Sequence, residues 1–150
     1  MLERVLLPLL PDPLPLSDPA PALLLAGYSY GTLAAASCPP PASHPTLRTR
    51  HLLVSYPLSV LWALTLFNSS TSQRALLDLV RSPTADVLAV FGDSDQFSGV
   101  GPLRKWSGAL EREGALARSF RGVEVVGADH FWRAEDLGEV MQVVRDWLKN

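Results

Sequence analysis

The chain has a single cysteine, Cys38, so no internal disulfide can form. The fold must therefore be held by a buried core, and nothing points to an oxidising compartment. Cys38 lies between Ser37 and Pro39 with no base or positive charge close by, which reads as a structural thiol rather than a reactive one. Charge is also scarce: 19% of residues are charged and the formal net charge is −2. Without a Lys/Arg cluster, no nucleic-acid-binding surface is expected. No apolar run reaches the length of a membrane span; the longest, Leu52 to Phe67, is interrupted by Ser55, Pro57 and Ser59. The amino-terminal residues are apolar but are broken by Pro8 and Pro11 and lack a small-residue cleavage site, so they do not read as a signal peptide. A cytoplasmic location is the expectation, under which the sequon Asn68-Ser69-Ser70 has no meaning. No His, Cys, Asp or Glu residues stand at metal-ligand spacing, and no G-x-G-x-x-G is present. Neither a metal nor a cofactor is expected, and nucleotide binding is a weak reading.

What is present suits one packed domain. The chain is 150 residues long and 47% hydrophobic, enough to bury roughly 70% of its unfolded surface without a covalent or metal staple. Prolines at 8, 11, 13, 15, 19 and 21 exclude helix and ladder pairing alike, so residues 1–20 read as an extended lead-in. As a polyproline ligand the segment is a poor candidate, since it lacks flanking basic residues. Residues 21–150 form the expected domain.

Within that domain strand and helix signals alternate. Ala22 to Ala26 is a short continuous apolar run, as a strand buried on both faces should be. A small-residue helix, Thr32 to Ser37, is stopped by Pro39, Pro40 and Pro41. A second strand is predicted over His51 to Tyr56, followed by a short helix or covering loop over Leu58 to Phe67 and a helix over Ser72 to Arg81. A third strand, Asp86 to Phe91, precedes helical spacing at Leu103, Trp106 and Leu110; a fourth strand is predicted over Gly122 to Val126. In the last helix, Leu137, Val140, Met141, Val144, Trp147 and Leu148 make one apolar face. Strands separated by helices of this length imply right-handed crossovers, hence an α/β class with a parallel sheet of about four strands and flanking helices.

Three loop motifs follow the carboxyl ends of these strands. Gly27-Tyr28-Ser29-Tyr30-Gly31 fits G-x-S-x-G, in which a serine on a sharp strand-to-helix turn is held clear of the sheet. Gly27 and Gly31 are expected to allow close approach of strand and helix, and the Tyr30 N–H to point where a carbonyl oxygen would gain negative charge. By composition alone such a string occurs in about one chain in twenty of this length, so its position between an apolar run and an Ala-rich helix is what gives it weight. A serine needs a base held by a third group. Of the three histidines, His44 lies in a proline-rich loop and His51 opens a strand, whereas His130 follows the last strand. The acid has two candidates, Asp93 and Asp95. Asp95, deeper in the loop, is better placed to reach a histidine on the neighbouring strand; Asp93 and Asp129 read as turn formers. The order Ser29, Asp95, His130 is that of the α/β-hydrolase triad.

The blocks Leu-Leu-Ala-Gly-Tyr-Ser-Tyr-Gly, Val-Phe-Gly-Asp-Ser-Asp-Gln-Phe and Gly-Ala-Asp-His-Phe-Trp resemble the three catalytic blocks of the α/β-hydrolase superfamily, nearest to its esterase-like and dienelactone-hydrolase-like members. The resemblance covers Ala20 to the carboxyl terminus. It implies Ser29 as nucleophile, Asp95 as orienting acid, His130 as base and Leu58 to Phe67 as a short cap beside an acyl pocket. The substrate it implies is a small ester or related acyl compound. Such proteins place several strands before the elbow, whereas here about twenty proline-rich residues precede it. The expectation is thus a partial, amino-terminally truncated α/β-hydrolase fold. Its first strand would be an exposed apolar edge open to self-association, and Tyr30 would be its only oxyanion donor. Two functions follow: a serine hydrolase working through an acyl-enzyme, or a catalytically impaired remnant serving as an interaction or regulatory protein.

Overall fold

A computed structural model of the chain describes residues 22–65 and 68–149; the proline-rich lead-in and Phe67 lie outside them. The four strands are β1 (Ala22–Tyr28), β2 (Arg48–Val54), β3 (Ala85–Gly92) and β4 (Phe120–Val125), hydrogen-bonded in the order β1-β2-β3-β4. All three pairings are parallel. The helices are α1 (Gly31–Ala36), α2 (Leu61–Leu64, after a 3-10 turn at Leu58–Val60), α3 (Ser69–Arg81), α4 (Val100–Glu113) and α5 (Ala134–Lys149). The expected α/β class and four-stranded parallel sheet are therefore what the chain forms.

Side-chain alternation sorts the sheet into two faces. His51 and Leu53 of β2 and Val87 and Ala89 of β3 point to the face covered by α1, α3 and α4, where Leu33, Leu53, Tyr56, Leu76, Val80, Val87 and Leu110 pack together. Leu88, Val90 and Val125 point to the other face, covered by Val140, Val144 and Trp147 of α5. β3 lies between these two cores, which is why its sequence is almost unbroken apolar and nearly all buried. Each fully buried Leu or Val there contributes roughly 1.5–3 kcal/mol through removal from water.

Strand boundaries differ from the sequence expectation for identifiable reasons. β2 begins at Arg48 rather than His51, because polar residues in this strand have structural tasks. Thr49 is fully buried and its N–H donates to the Thr84 carbonyl at 2.9 Å, and Arg50 donates from Nη1 to the Trp147 carbonyl at 2.9 Å with its guanidinium 5.5 Å from the centre of the Trp147 ring. The strand stops at Val54 because Ser55 turns to φ +54°. β4 begins at Phe120, paired with Val87, rather than at Gly122. The face expected on α5 is only half used: Val140, Val144 and Trp147 are buried, whereas Leu137, Met141 and Leu148 are exposed. These three lie on the flank opposite Asp146, whose carboxylate accepts from Nε2 of Gln142 at 2.9 Å and Nζ of Lys149 at 3.3 Å on the same helix. With four strands beneath it, α5 covers β3 and β4 and leaves that flank open. β1 has no neighbour on its outer side among the described residues, and its Leu24 and Tyr28 are exposed.

His51 is fully buried, with Nδ1 3.0 Å from the Ala35 carbonyl in the last turn of α1 and Nε2 without a partner among the described residues. Nδ1–H is therefore the donor, and the ring ties α1, the helix that follows Ser29, to β2. Burial, chiefly, lowers the His51 pKa below its ordinary value, against weaker opposing effects of the Ala35 bond and Asp86. A base with a depressed folded pKa is protonated more readily when unfolded. Its contribution to stability is thus full above about pH 6.5 and declines as pH falls below that value. Denaturant unfolding at pH 7.5 and pH 5.5 should show lower stability at pH 5.5. His51→Leu should reduce that pH difference; an unchanged difference in the variant would contradict the assignment.

Candidate functional site

Ser29 stands at the tip of β1 with φ +51°, a left-handed conformation unusual for a residue with a Cβ and costing of order 1–3 kcal/mol. The turn is pinned on both sides. The Ser29 N–H donates to the Val54 carbonyl at 2.8 Å, and the Ser29 carbonyl accepts from the Thr32 N–H at 3.0 Å and the Thr32 hydroxyl at 2.6 Å. Gly27 is required by space: a Cβ there would meet the Gly31 carbonyl oxygen at 2.4 Å and the Thr32 nitrogen at 2.6 Å. Gly31 is not. Among the described residues a Cβ at 31 would meet nothing within 4 Å, so the close approach expected of both glycines falls on Gly27 alone, with Gly31 contributing only its backbone to it.

The β3 loop supplies Asp95. Its side chain is buried, and Oδ1 accepts from the Phe97 N–H at 2.8 Å and the Ser98 N–H at 3.0 Å. Oδ2 lies 2.7 Å from Nδ1 of His130, whose Nε2 lies 2.9 Å from the Ser29 hydroxyl oxygen. A carboxylate only accepts, so Nδ1–H donates to Asp95 and Nε2 is left with the lone pair that accepts the Ser29 O–H. The three side chains singled out in the sequence thus form one continuous hydrogen-bonded chain. Asp93 and Asp129 stay out of it. Asp93 Oδ1 accepts from the Gly127 N–H at 2.8 Å, and Asp129 Oδ1 accepts from the Phe131 N–H at 2.9 Å while Oδ2 pairs with Arg133. Both brace the turns between β4 and α5.

The backbone of His130 is held from two elements. The Tyr28 hydroxyl donates to its carbonyl at 2.8 Å, and its N–H donates to Oε1 of Gln96 at 3.1 Å. Burial, followed by the negative fields of Asp95 and Asp129, raises the Tyr28 pKa above its ordinary value. Trp132, at φ +47°, donates from Nε1 to Oγ of Ser55 at 2.7 Å and so ties the histidine loop to the end of β2. Sequence reasoning assigned no role to Tyr28, Gln96, Ser98, Ser55 or Trp132. The Asp95-x-x-Ser98 spacing is a legible turn signal; the Trp132–Ser55 bond, spanning 77 residues, has no local signature.

An open cleft of about 340 Å³ adjoins the elbow through Tyr30, between α1 and the start of α3, with Leu33, Ala34, Leu64 and Thr65 among its lining. Among the described residues no group of three His, Cys, Asp or Glu side chains is placed to hold a metal ion, and no helix is long and apolar enough to cross a membrane. Comparison with protein-family profiles, curated proteins and solved structures finds no match for the chain.

Gly27→Ala should destabilise the protein by about 1–3 kcal/mol or more, because rigid backbone must move to admit the methyl group. Gly31→Ala, which meets open space, should be neutral or slightly stabilising within α1. Unfolding midpoints of the two variants measured side by side check this, and equal effects would contradict it.

Proposed function

We propose that the protein is a serine hydrolase of α/β-hydrolase type acting on an ester or related acyl bond. The observation that carries the reading is the continuous chain from Asp95 through His130 to Ser29, at 2.7 and 2.9 Å. His130 Nε2 takes the Ser29 proton as Oγ bonds to the substrate carbonyl carbon, and the carbonyl oxygen becomes an oxyanion facing the Tyr30 N–H. Collapse re-forms the carbonyl and breaks the bond to the leaving oxygen, which receives the proton from Nε2 and departs as the alcohol. Water then repeats the sequence on the acyl-enzyme: His130 takes its proton, the acid is released and Ser29 recovers its hydrogen. The cleft lined by Tyr30, the residue after Ser29, offers room for the acyl part.

Hydrolysis of p-nitrophenyl acetate tests this. Ser29→Ala should lower kcat/KM by at least about 10³-fold. Asp95→Asn should lower it by about 10⁴-fold for a reason specific to this loop. Because two backbone N–H groups hold Oδ1, the asparagine oxygen stays there and its NH₂ faces Nδ1. The imidazole must then carry its proton on Nε2, where it cannot accept from Ser29. A wild-type rate equal to that of Ser29→Ala would refute the proposal.

A second reading, association of two copies through β1, is favoured by the position of that strand. Since the Ser29 N–H faces β2, the backbone groups of Ala22, Leu24, Ala26 and Tyr28 face outward, and they are symmetric about Leu25. Two copies related by a twofold axis at Leu25 can pair antiparallel with all four residues bonded. Sedimentation should then show a dimer that Leu24→Lys shifts to monomer; a wild-type monomer at high concentration would end this reading.

A further inference from the structure

Three aromatic rings surround the imidazole of His130 and are themselves well exposed. Phe97 meets it edge-on with centroids 4.7 Å apart, Phe131 edge-on at 5.6 Å, and Tyr28 at 5.6 Å with planes tilted by 41°. Phe97 and Phe131 also meet each other at 6.2 Å and 80°, which makes a corner. His130 itself is only 5% exposed, yet Tyr28 is 47%, Phe97 44% and Phe131 67% exposed. Phe97 and Phe131 thus present contiguous apolar surface to solvent, the kind of patch that marks a contact site.

We infer that these rings form the binding site for an aromatic leaving group, so that the preferred substrate is the ester of an aromatic alcohol. The inference rests on the hydrolase reading and on one geometric consequence of it. Nε2 must hand its proton to the leaving oxygen, so that oxygen lies within hydrogen-bond reach of Nε2. Its substituent then emerges beside the imidazole, where Phe97, Phe131 and Tyr28 stand. The acyl part is directed away from them, towards Tyr30 and the cleft beyond it. A corner of two rings at 80° offers a third ring an edge-to-face and an offset-stacked contact at once, the two arrangements the aromatic quadrupole favours. A saturated ring of the same shape gains burial but not that electrostatic fit.

Benzyl acetate and cyclohexylmethyl acetate separate the two contributions, since the leaving alcohols are similar in size and both are unactivated. The wild-type protein should hydrolyse the benzyl ester with a kcat/KM about tenfold higher, most of it in KM. Phe131→Ala should bring the ratio close to one, and Phe131→Leu, which keeps apolar bulk without a ring, should do the same. Circular dichroism would verify that each variant is folded, which the exposure of Phe131 leads one to expect. Hydrolysis of both esters at equal kcat/KM by the wild type, or a ratio unaffected in both variants, would overturn the inference while leaving the hydrolase reading intact. Hydrolysis of neither ester, together with a rate on p-nitrophenyl acetate no higher than that of Ser29→Ala, would overturn both.

Discussion

The buried carboxylate of Asp95 is the constraint on which the site depends. A charge that is withdrawn from water must be met by donors, and leaving one buried and unpaired costs about 3–5 kcal/mol. Here the donors are two backbone N–H groups within its own loop and the imidazole of His130. The two backbone bonds fix the loop after β3, and the third fixes the ring. Once Nδ1–H is committed to Asp95, the tautomer follows, Nε2 must accept, and Ser29 is the hydroxyl within reach. The geometry of the chain is thus a consequence of satisfying one acid.

The sheet makes that satisfaction possible. β1, β3 and β4 are parallel, so their carboxyl ends lie at one edge, and each contributes one member of the chain through the loop that follows it. β2 contributes none, but its end carries Ser55, the anchor of Trp132. Ser29, Ser55 and Trp132 all have positive φ. Strain of this kind persists only where surrounding bonds over-determine it, and each of the three is held by such bonds: Ser29 by Val54 and Thr32, Ser55 by Val90 and Trp132, and Trp132 by Ser55. The pattern is one of local conformational cost offset by long-range hydrogen bonding around a single point.

The parts of this arrangement that depend on local chemistry were legible in the sequence. The apolar run of β1 followed by a glycine-flanked serine, an acidic turn after β3 and a histidine after β4 are all short-range signals, and Ser29, Asp95 and His130 do come together. The polar start of β2 was hidden because Arg48 to Arg50 look like loop residues until Trp147, about a hundred positions later, is seen to need a partner. Likewise Leu137, Met141 and Leu148 read as core by periodicity, although whether such a flank is covered depends on how far the sheet extends beneath the helix. The supports supplied by Tyr28 to the His130 carbonyl and by Trp132 to Ser55 are tertiary, with no trace in spacing.

The central claim is that this hydrogen-bonded chain makes Ser29 a nucleophile, and active-site-directed phosphonylation tests it most directly. Folded protein treated with a fluorophosphonate and mapped by peptide mass spectrometry should carry one label per chain, on Ser29, with Ser55, Ser94 and Ser98 unmodified. Folded protein that remains unlabelled, or that carries its label on another serine, would contradict the account.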